Sequence, residues 1–176
     1  MDLAIFYGIQ KLAGLSPVID GVGIFCASVL IWIEAAAVGV FYLRARRHRA
    51  LAVFSAFVSG LAAWVASNGI GLLYFRPRPF TVLANAHLLI SKSPLEKSFP
   101  SDHATVAFAL ACAIFFVDHR WGGVFLAVAA IISIARVFVG VHYPSDIVVG
   151  ALLGFVCAFL VHRLIHYFLH TRHHSI

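Results

Sequence analysis

Long apolar stretches separated by short polar links dominate this chain. Five of them run roughly over Ile19–Leu43, Leu51–Phe75, His103–Val117, Gly122–Val141 and Asp146–Leu169. A helix needs about 20 mostly apolar residues to cross a bilayer core. The third stretch reaches that length only if it extends back through the Pro100-Ser101-Asp102 turn. Residues 2–15 are less apolar and predict a helix lying in the membrane interface. A sixth span there is the alternative, and Pro17 and Asp20 argue for a break instead. The pattern predicts an all-α polytopic membrane helix bundle of five spans, or six, with an N-terminal interfacial helix and a single domain over residues 1–176.

Composition agrees. Hydrophobic residues make up 62% and charged residues 11%, whereas a soluble domain carries about 25% charged residues. Such a chain cannot coat a water-facing surface, so lipid is the expected solvent. The net charge of +6 then reads as orientation and attraction to anionic headgroups, with no nucleic acid partner expected. Cys26, Cys112 and Cys157 sit inside apolar runs without metal-ligand spacing and read as packing residues. The Met1-Asp2 start has no basic region and no small-residue cleavage site, so a cleaved signal peptide is not expected.

Cations orient the spans. The link Arg44-Ala45-Arg46-Arg47-His48-Arg49 holds four arginines and is placed on the cytoplasmic side. Alternation puts Asp118-His119-Arg120 and the tail with Arg172 on that side too. The links from Arg76 to Asp102 and from Val141 to Ser145 then face outward. Several cations fall on the outer side against the rule: Arg76, Arg78, Lys92, Lys97 and Arg136. They call for another explanation.

Three clusters supply one. Arg76-Pro77-Arg78-Pro79 closes the second span, Phe99-Pro100-Ser101-Asp102-His103 opens the third, and Arg136-(x5)-His142-(x3)-Asp146 joins the fourth to the fifth. Far apart in sequence, they share one membrane depth on the outer side. Their chemistry fits phosphoryl transfer. Arg78 and Arg136 can grip phosphate oxygens with permanently charged planar forks. Two helix N-termini here favour an anion, and Ser101 adds a hydroxyl donor. Of two histidines, one can attack phosphorus and the other can protonate the leaving oxygen. Asp146, four residues beyond His142, can hold the imidazole in one tautomer. Arginines can neutralise the phosphate, so no metal or other cofactor is required.

These clusters resemble the signature of the type 2 phosphatidic acid phosphatase superfamily, which also includes vanadium haloperoxidases. Its pattern is K-x6-RP, then PSGH, then SR-x5-H-x3-D, and the resemblance covers about residues 68–154. It implies His142 as nucleophile, Asp146 as its helper, His103 as leaving-group acid, and Arg78, Ser101 and Arg136 as phosphate ligands. Three positions depart from the pattern: the lysine slot is Gly71, the PSGH glycine is Asp102, and the serine before Arg136 is Ala135. Lys97 or Arg76 is the candidate substitute for the lost lysine at the phosphate site. Asp102 beside them reads first as a helix cap, with a second role in tuning His103. Phe-Pro-Ser-Asp-His, Tyr-Phe-Arg-Pro-Arg-Pro-Phe and the stretch from Ile5-Phe6 to Asp20 look like the bacterial undecaprenyl-diphosphatases of the bacitracin-resistance (BcrC) type. That branch implies conversion of undecaprenyl diphosphate to the monophosphate at the outer face of the bacterial cytoplasmic membrane, which recycles the lipid carrier of cell-wall synthesis.

Two other functions compete. One is the same chemistry on another lipid, phosphatidylglycerol phosphate or phosphatidic acid. The other is a non-catalytic lipid transporter, disfavoured because binding alone needs no nucleophile–acid pair. A haloperoxidase is disfavoured because those enzymes are soluble. In every case the partners are an isoprenoid or phospholipid phosphate and membrane lipid. Outside the clusters, mid-span Glu34 is expected to pair with Asn68 or a histidine. His162, His166 and His170 read as interfacial residues, not metal ligands. Gly150-(x3)-Gly154 reads as a close helix contact, by default within the bundle. Thr81–Lys97 is either a guard over lipid entry or a plain loop.

Overall fold

The computed structural model describes residues 1–43 and 47–171. Arg44, Arg46, Arg172, His173 and His174 lie outside the described residues, as do the side chains of Arg47, Arg49 and His170. The described residues form helices and no strand: α1 (Asp2–Gln10), α2 (Pro17–Ser28), α3 (Leu30–Leu43), α4 (Arg47–Leu73), α5 (Pro79–Val82), α6 (Asp102–Phe115), α7 (His119–Phe138) and α8 (Pro144–Thr171). Within α4, α7 and α8, Ala50–Leu73, His119–Phe138 and Pro144–Phe168 are each long and apolar enough to cross a membrane. The protein is a multi-pass membrane helix bundle, and large apolar side chains such as Leu152, Phe155 and Leu160 face outward.

Two expected spans take a different form. The first is broken: α2 and α3 meet at Val29 with a bend of 49°, and together they make a fourth candidate span. The bend lets α2 lean on α7 while α3 leans on α4. The stretch His103–Val117 forms α6, which has 14 residues, or about 21 Å at 1.5 Å per residue. That is short of a bilayer core of about 30 Å. The helix runs as the central post of the bundle, buried along Ala104, Ala107 and Ala109–Ile114 and surrounded by α4, α7 and α8. Small residues let the backbones close in. A Cβ at Gly154 would meet Ala109 N at 2.9 Å and Phe108 Cβ at 3.2 Å, so the Gly150-(x3)-Gly154 pair is a contact within the bundle.

Pro17 and Asp20 do mark a break, and they do so by starting α2. Ser16 caps it through Val18 N, Pro17 takes the first helical position, and Asp20 accepts from Gly14 N at 2.9 Å. The nine-residue α1 is too short to span. It packs on α7 and α8, with Phe6 fully buried.

Glu34 differs from expectation. It is 2% exposed and its carboxylate oxygens have no hydrogen-bond partner among the described residues. Asn68 donates to Trp64 O of its own helix instead. Ala35 and Val38 beside Glu34 pack with Ala52 and Ala56 of α4, and Asn68 lies about three turns further along that helix.

Candidate active site

All three sequence clusters come together at one end of the bundle, and local chain geometry aims each. After α4 the chain runs extended into Pro79, because a residue before proline is biased away from helix. Arg78 takes φ −72°, ψ 153° and turns its side chain inward, leaving it 4% exposed. Arg136 occupies the last turn of α7, where a cation is favoured by the helix dipole. Beyond it Gly140, at φ +84°, reverses the chain in a conformation that favours glycine. The reversal delivers His142 and Tyr143 to the start of α8.

His142 is buried. Its Nδ1 lies 2.8 Å from Ser98 O. A carbonyl only accepts, so Nδ1 carries the hydrogen and the lone pair lies on Nε2. That Nε2 is 3.4 Å from Arg78 Nη1. Arg78 also donates through Nη1 to Val141 O at 3.0 Å and through Nε to Glu96 O at 3.2 Å. Burial drives the His142 pKa down to about 4; Asp146 opposes the shift, while the charges of Arg136 and Arg78 add to it. Burial also lowers Arg78, against the pull of Glu96, Asp102 and Asp146.

Asp146 is fully buried and organises the surrounding loops. Oδ2 accepts from Ser98 Oγ at 2.6 Å and Tyr143 N at 2.8 Å, and Oδ1 accepts from Arg76 Nη1 at 2.7 Å. Its distance to His142 Nδ1 is 3.7 Å. The direct orienting partner of the imidazole is therefore the Ser98 carbonyl, and Asp146 acts on it through Ser98 and through its charge.

His103, His142, Arg78 and Arg136 line a cavity of about 500 Å³, with Lys92, Glu96 and Asp102 also in its wall. An apolar flank made by Trp32, Phe57, Leu61, Trp64 and Val106 continues it between α3, α4 and α6. The break between α2 and α3 matters here. It frees carbonyls at the end of α2, and Arg136 Nη1 donates to Ala27 O at 3.0 Å. Arg136 Nε and the buried Ser101 Oγ have no hydrogen-bond partner among the described residues.

Lys97 and Arg76 lie behind this wall, and Lys97 holds Asp102 in it. Lys97 Nζ donates to Asp102 Oδ1 at 2.7 Å, Ser67 Oγ at 3.1 Å and Pro100 O at 3.1 Å. Its aliphatic stem crosses Gly71, where any Cβ would overlap Lys97 Cδ. Asp102 is not the cap of α6. Ser101 holds that position without a side-chain capping bond, and Asp102 is bound by Lys97 and Ser67. Arg76 turns away from the cavity to Asp2, Ser145 and Asp146, with its guanidinium 3.9 Å from the Tyr143 ring centroid. Burial works against the charged form of Arg76, but Asp2 and Asp146 outweigh it and raise its pKa.

Sequence reasoning missed Ser98, Asp2, Gln10 and Glu96. Asp2 accepts from Ser145 N at 2.9 Å and from Ser145 Oγ at 2.6 Å. Gln10 ties Phe138 O to the backbone of His87. Asp2, Gln10 and Ser98 carry no local signal, because their side-chain partners lie dozens of residues away, and the Lys92–Glu96 pair four residues apart does not by itself mark a site. Among the described residues no group of three or more His, Cys, Asp or Glu side chains is arranged to hold a metal.

Known proteins resemble this chain. The family model described as PAP2 superfamily matches residues 50–169. The undecaprenyl-diphosphatase BcrC of Bacillus subtilis is 31% identical over 163 residues, covering 93% of this chain and 83% of that protein. The bacitracin transport permease protein BcrC of Bacillus licheniformis is 30% identical over 161 residues, 92% of this chain and 79% of that protein. Among solved structures, Aquifex aeolicus LpxE superposes with a TM-score of 0.78 at 23% identity, covering 92% of this chain and 94% of that one. With the two histidines and two arginines in one cavity, and a family match over most of its length, the chain belongs to the PAP2 superfamily, as a membrane-spanning phosphatase.

Proposed function

We propose that this protein hydrolyses undecaprenyl diphosphate to undecaprenyl phosphate at the outer face of the bacterial cytoplasmic membrane, through a phosphohistidine on His142. The observation that carries the mechanism is the unprotonated Nε2 of His142, held by the hydrogen bond from Nδ1 to Ser98 O and facing Arg78 at 3.4 Å, a long contact that the incoming phosphoryl group replaces. Arg78 and Arg136 grip the terminal phosphoryl oxygens, the N-terminus of α6 favours the same charge, and the unpartnered Ser101 Oγ behind it is the candidate further donor. Nε2 attacks the terminal phosphorus, the N–P bond forms and the bridging P–O bond breaks. His103, protonated once the negative charge of the substrate enters the cavity, gives its proton to the leaving lipid phosphate. Neutral His103 then takes a proton from water, whose oxygen attacks phosphorus as the N–P bond breaks. Inorganic phosphate leaves and both histidines return to their starting state.

The substrate assignment is supported by the similarity to the Bacillus subtilis undecaprenyl-diphosphatase over most of both chains and by the apolar flank running from the charged cavity. A second reading, a phosphatase for another lipid phosphate, draws on the lipid A 1-phosphatase of Rhizobium etli, 29% identical over 144 residues. The deciding experiment is phosphate release by purified protein across undecaprenyl diphosphate, phosphatidylglycerol phosphate, phosphatidic acid and lipid A. The proposal expects the first to be turned over with the highest kcat/KM. A higher value for a monophosphate lipid would replace it with the second reading.

A further inference from the structure

Glu96 presents a carboxylate to a cavity suited to an anion. Its Oε2 lies 3.5 Å from Arg78 Nη2 and forms an ion pair with Lys92 Nζ. Arg78 also holds the Glu96 backbone through Nε, and Ser93 closes the turn through its carbonyl to Glu96 N at 3.4 Å. One carboxylate thus bridges two cations of the cavity wall, and its charge also acts on the third, Arg136. Exposure orders these groups by depth. The side chains of His142 and Arg78 are 3% and 4% exposed, that of Lys92 is 28% and that of Glu96 is 47%. His142 and Arg78 form the floor of the cavity, and Lys92 stands at its mouth.

A phosphoryl group on His142 is within reach of Arg78 at the floor, and Lys92 lies further out. A lipid monophosphate carries about −1.5 to −2 at pH 7, and a diphosphate about one charge more. A cation at the mouth is placed to meet a second phosphoryl group. We infer that Lys92 binds the lipid-proximal phosphoryl of a diphosphate substrate, and that Glu96 bridges Lys92 and Arg78 as an internal anion until the substrate displaces it. This rests on the diphosphate reading above and adds the residues that distinguish a diphosphate from a monophosphate. Displacing Glu96 frees Arg78 and Lys92 together, while Asp102 stays neutralised by Lys97.

The test compares farnesyl diphosphate with farnesyl monophosphate, which share one apolar chain, on the purified full-length protein in detergent. The expected result for Lys92→Ala is about a tenfold fall in the ratio of kcat/KM for diphosphate over monophosphate, about 1.4 kcal/mol, carried by KM. Lys92→Arg should recover most of it, and Glu96→Gln should lower KM for the diphosphate several-fold. An unchanged ratio in Lys92→Ala, including an equal loss on both substrates, overturns the assignment. So does a raised diphosphate KM in Glu96→Gln. The underlying reading fails separately, and takes the assignment with it, if the wild-type protein shows no preference for the diphosphate.

Discussion

The imidazole of His142 hydrogen-bonds to the backbone carbonyl of Ser98 at 2.8 Å. A backbone acceptor cannot be removed by a side-chain substitution, so the tautomer of His142 survives changes that disturb Asp146. Substituting His142 itself leaves no nucleophile. His142→Asn should reduce phosphate release by at least about a thousandfold, the scale of losing an activated nucleophile. Asp146→Asn should cost less, about a hundredfold, with a lowered unfolding temperature, because Arg76, Ser98 and Tyr143 all depend on that carboxylate. Substantial turnover by His142→Asn would rule out the phosphohistidine.

Stability should respond to pH through the same residue. The folded pKa of His142 is about 4, against about 6.5 in an unfolded chain. Between these values the unfolded state binds the extra proton, so stability is full above about pH 6.5 and falls as pH drops toward 4. The loss is about 3 kcal/mol at its limit. Thermal unfolding of wild type and His142→Asn across this window checks it, and the variant should show a flatter slope.

Lys97 should substitute functionally for a cation at position 71. Its stem covers Gly71 and its ammonium holds Asp102 next to His103. Lys97→Ala should raise KM about tenfold, the scale of a charge-assisted hydrogen bond. Adding Gly71→Lys to that variant, which opens the space Lys97 had filled, should restore much of the loss. An unchanged KM in Lys97→Ala would show that the Lys97–Asp102 pair does not support phosphate binding.

Chelation should leave the enzyme active. In the proposed mechanism Arg78 and Arg136 carry the charge compensation that a divalent cation would otherwise supply. Phosphate release should be the same with and without EDTA. A loss that magnesium restores would bring a metal back into the mechanism.

Helix-scale features were legible in the residues. Apolar length marked the helices of the bundle, and the separations of six and four residues between Arg136, His142 and Asp146 marked one site because so short a stretch keeps all three near one junction between helices. Proline after Arg78 and the turn before His103 signalled loops at helix ends for the same local reason. The broken first span was not legible. Nothing within Pro17–Leu43 requires the bend, which follows from α2 packing on α7 while α3 packs on α4.

The supports of the site were equally hidden. Arg76 looked like a phosphate ligand in a run of Arg-Pro pairs, yet Asp2 and Asp146 take it. Ser98, next to a recognised motif, orients His142 with its backbone, which no side-chain pattern records. Sequence periodicity reports which face of a helix is apolar and which polar groups share a helix end. Which carbonyl meets an imidazole, or which carboxylate claims an arginine 70 residues away, depends on how the helix ends pack together. Only the tertiary structure decides that.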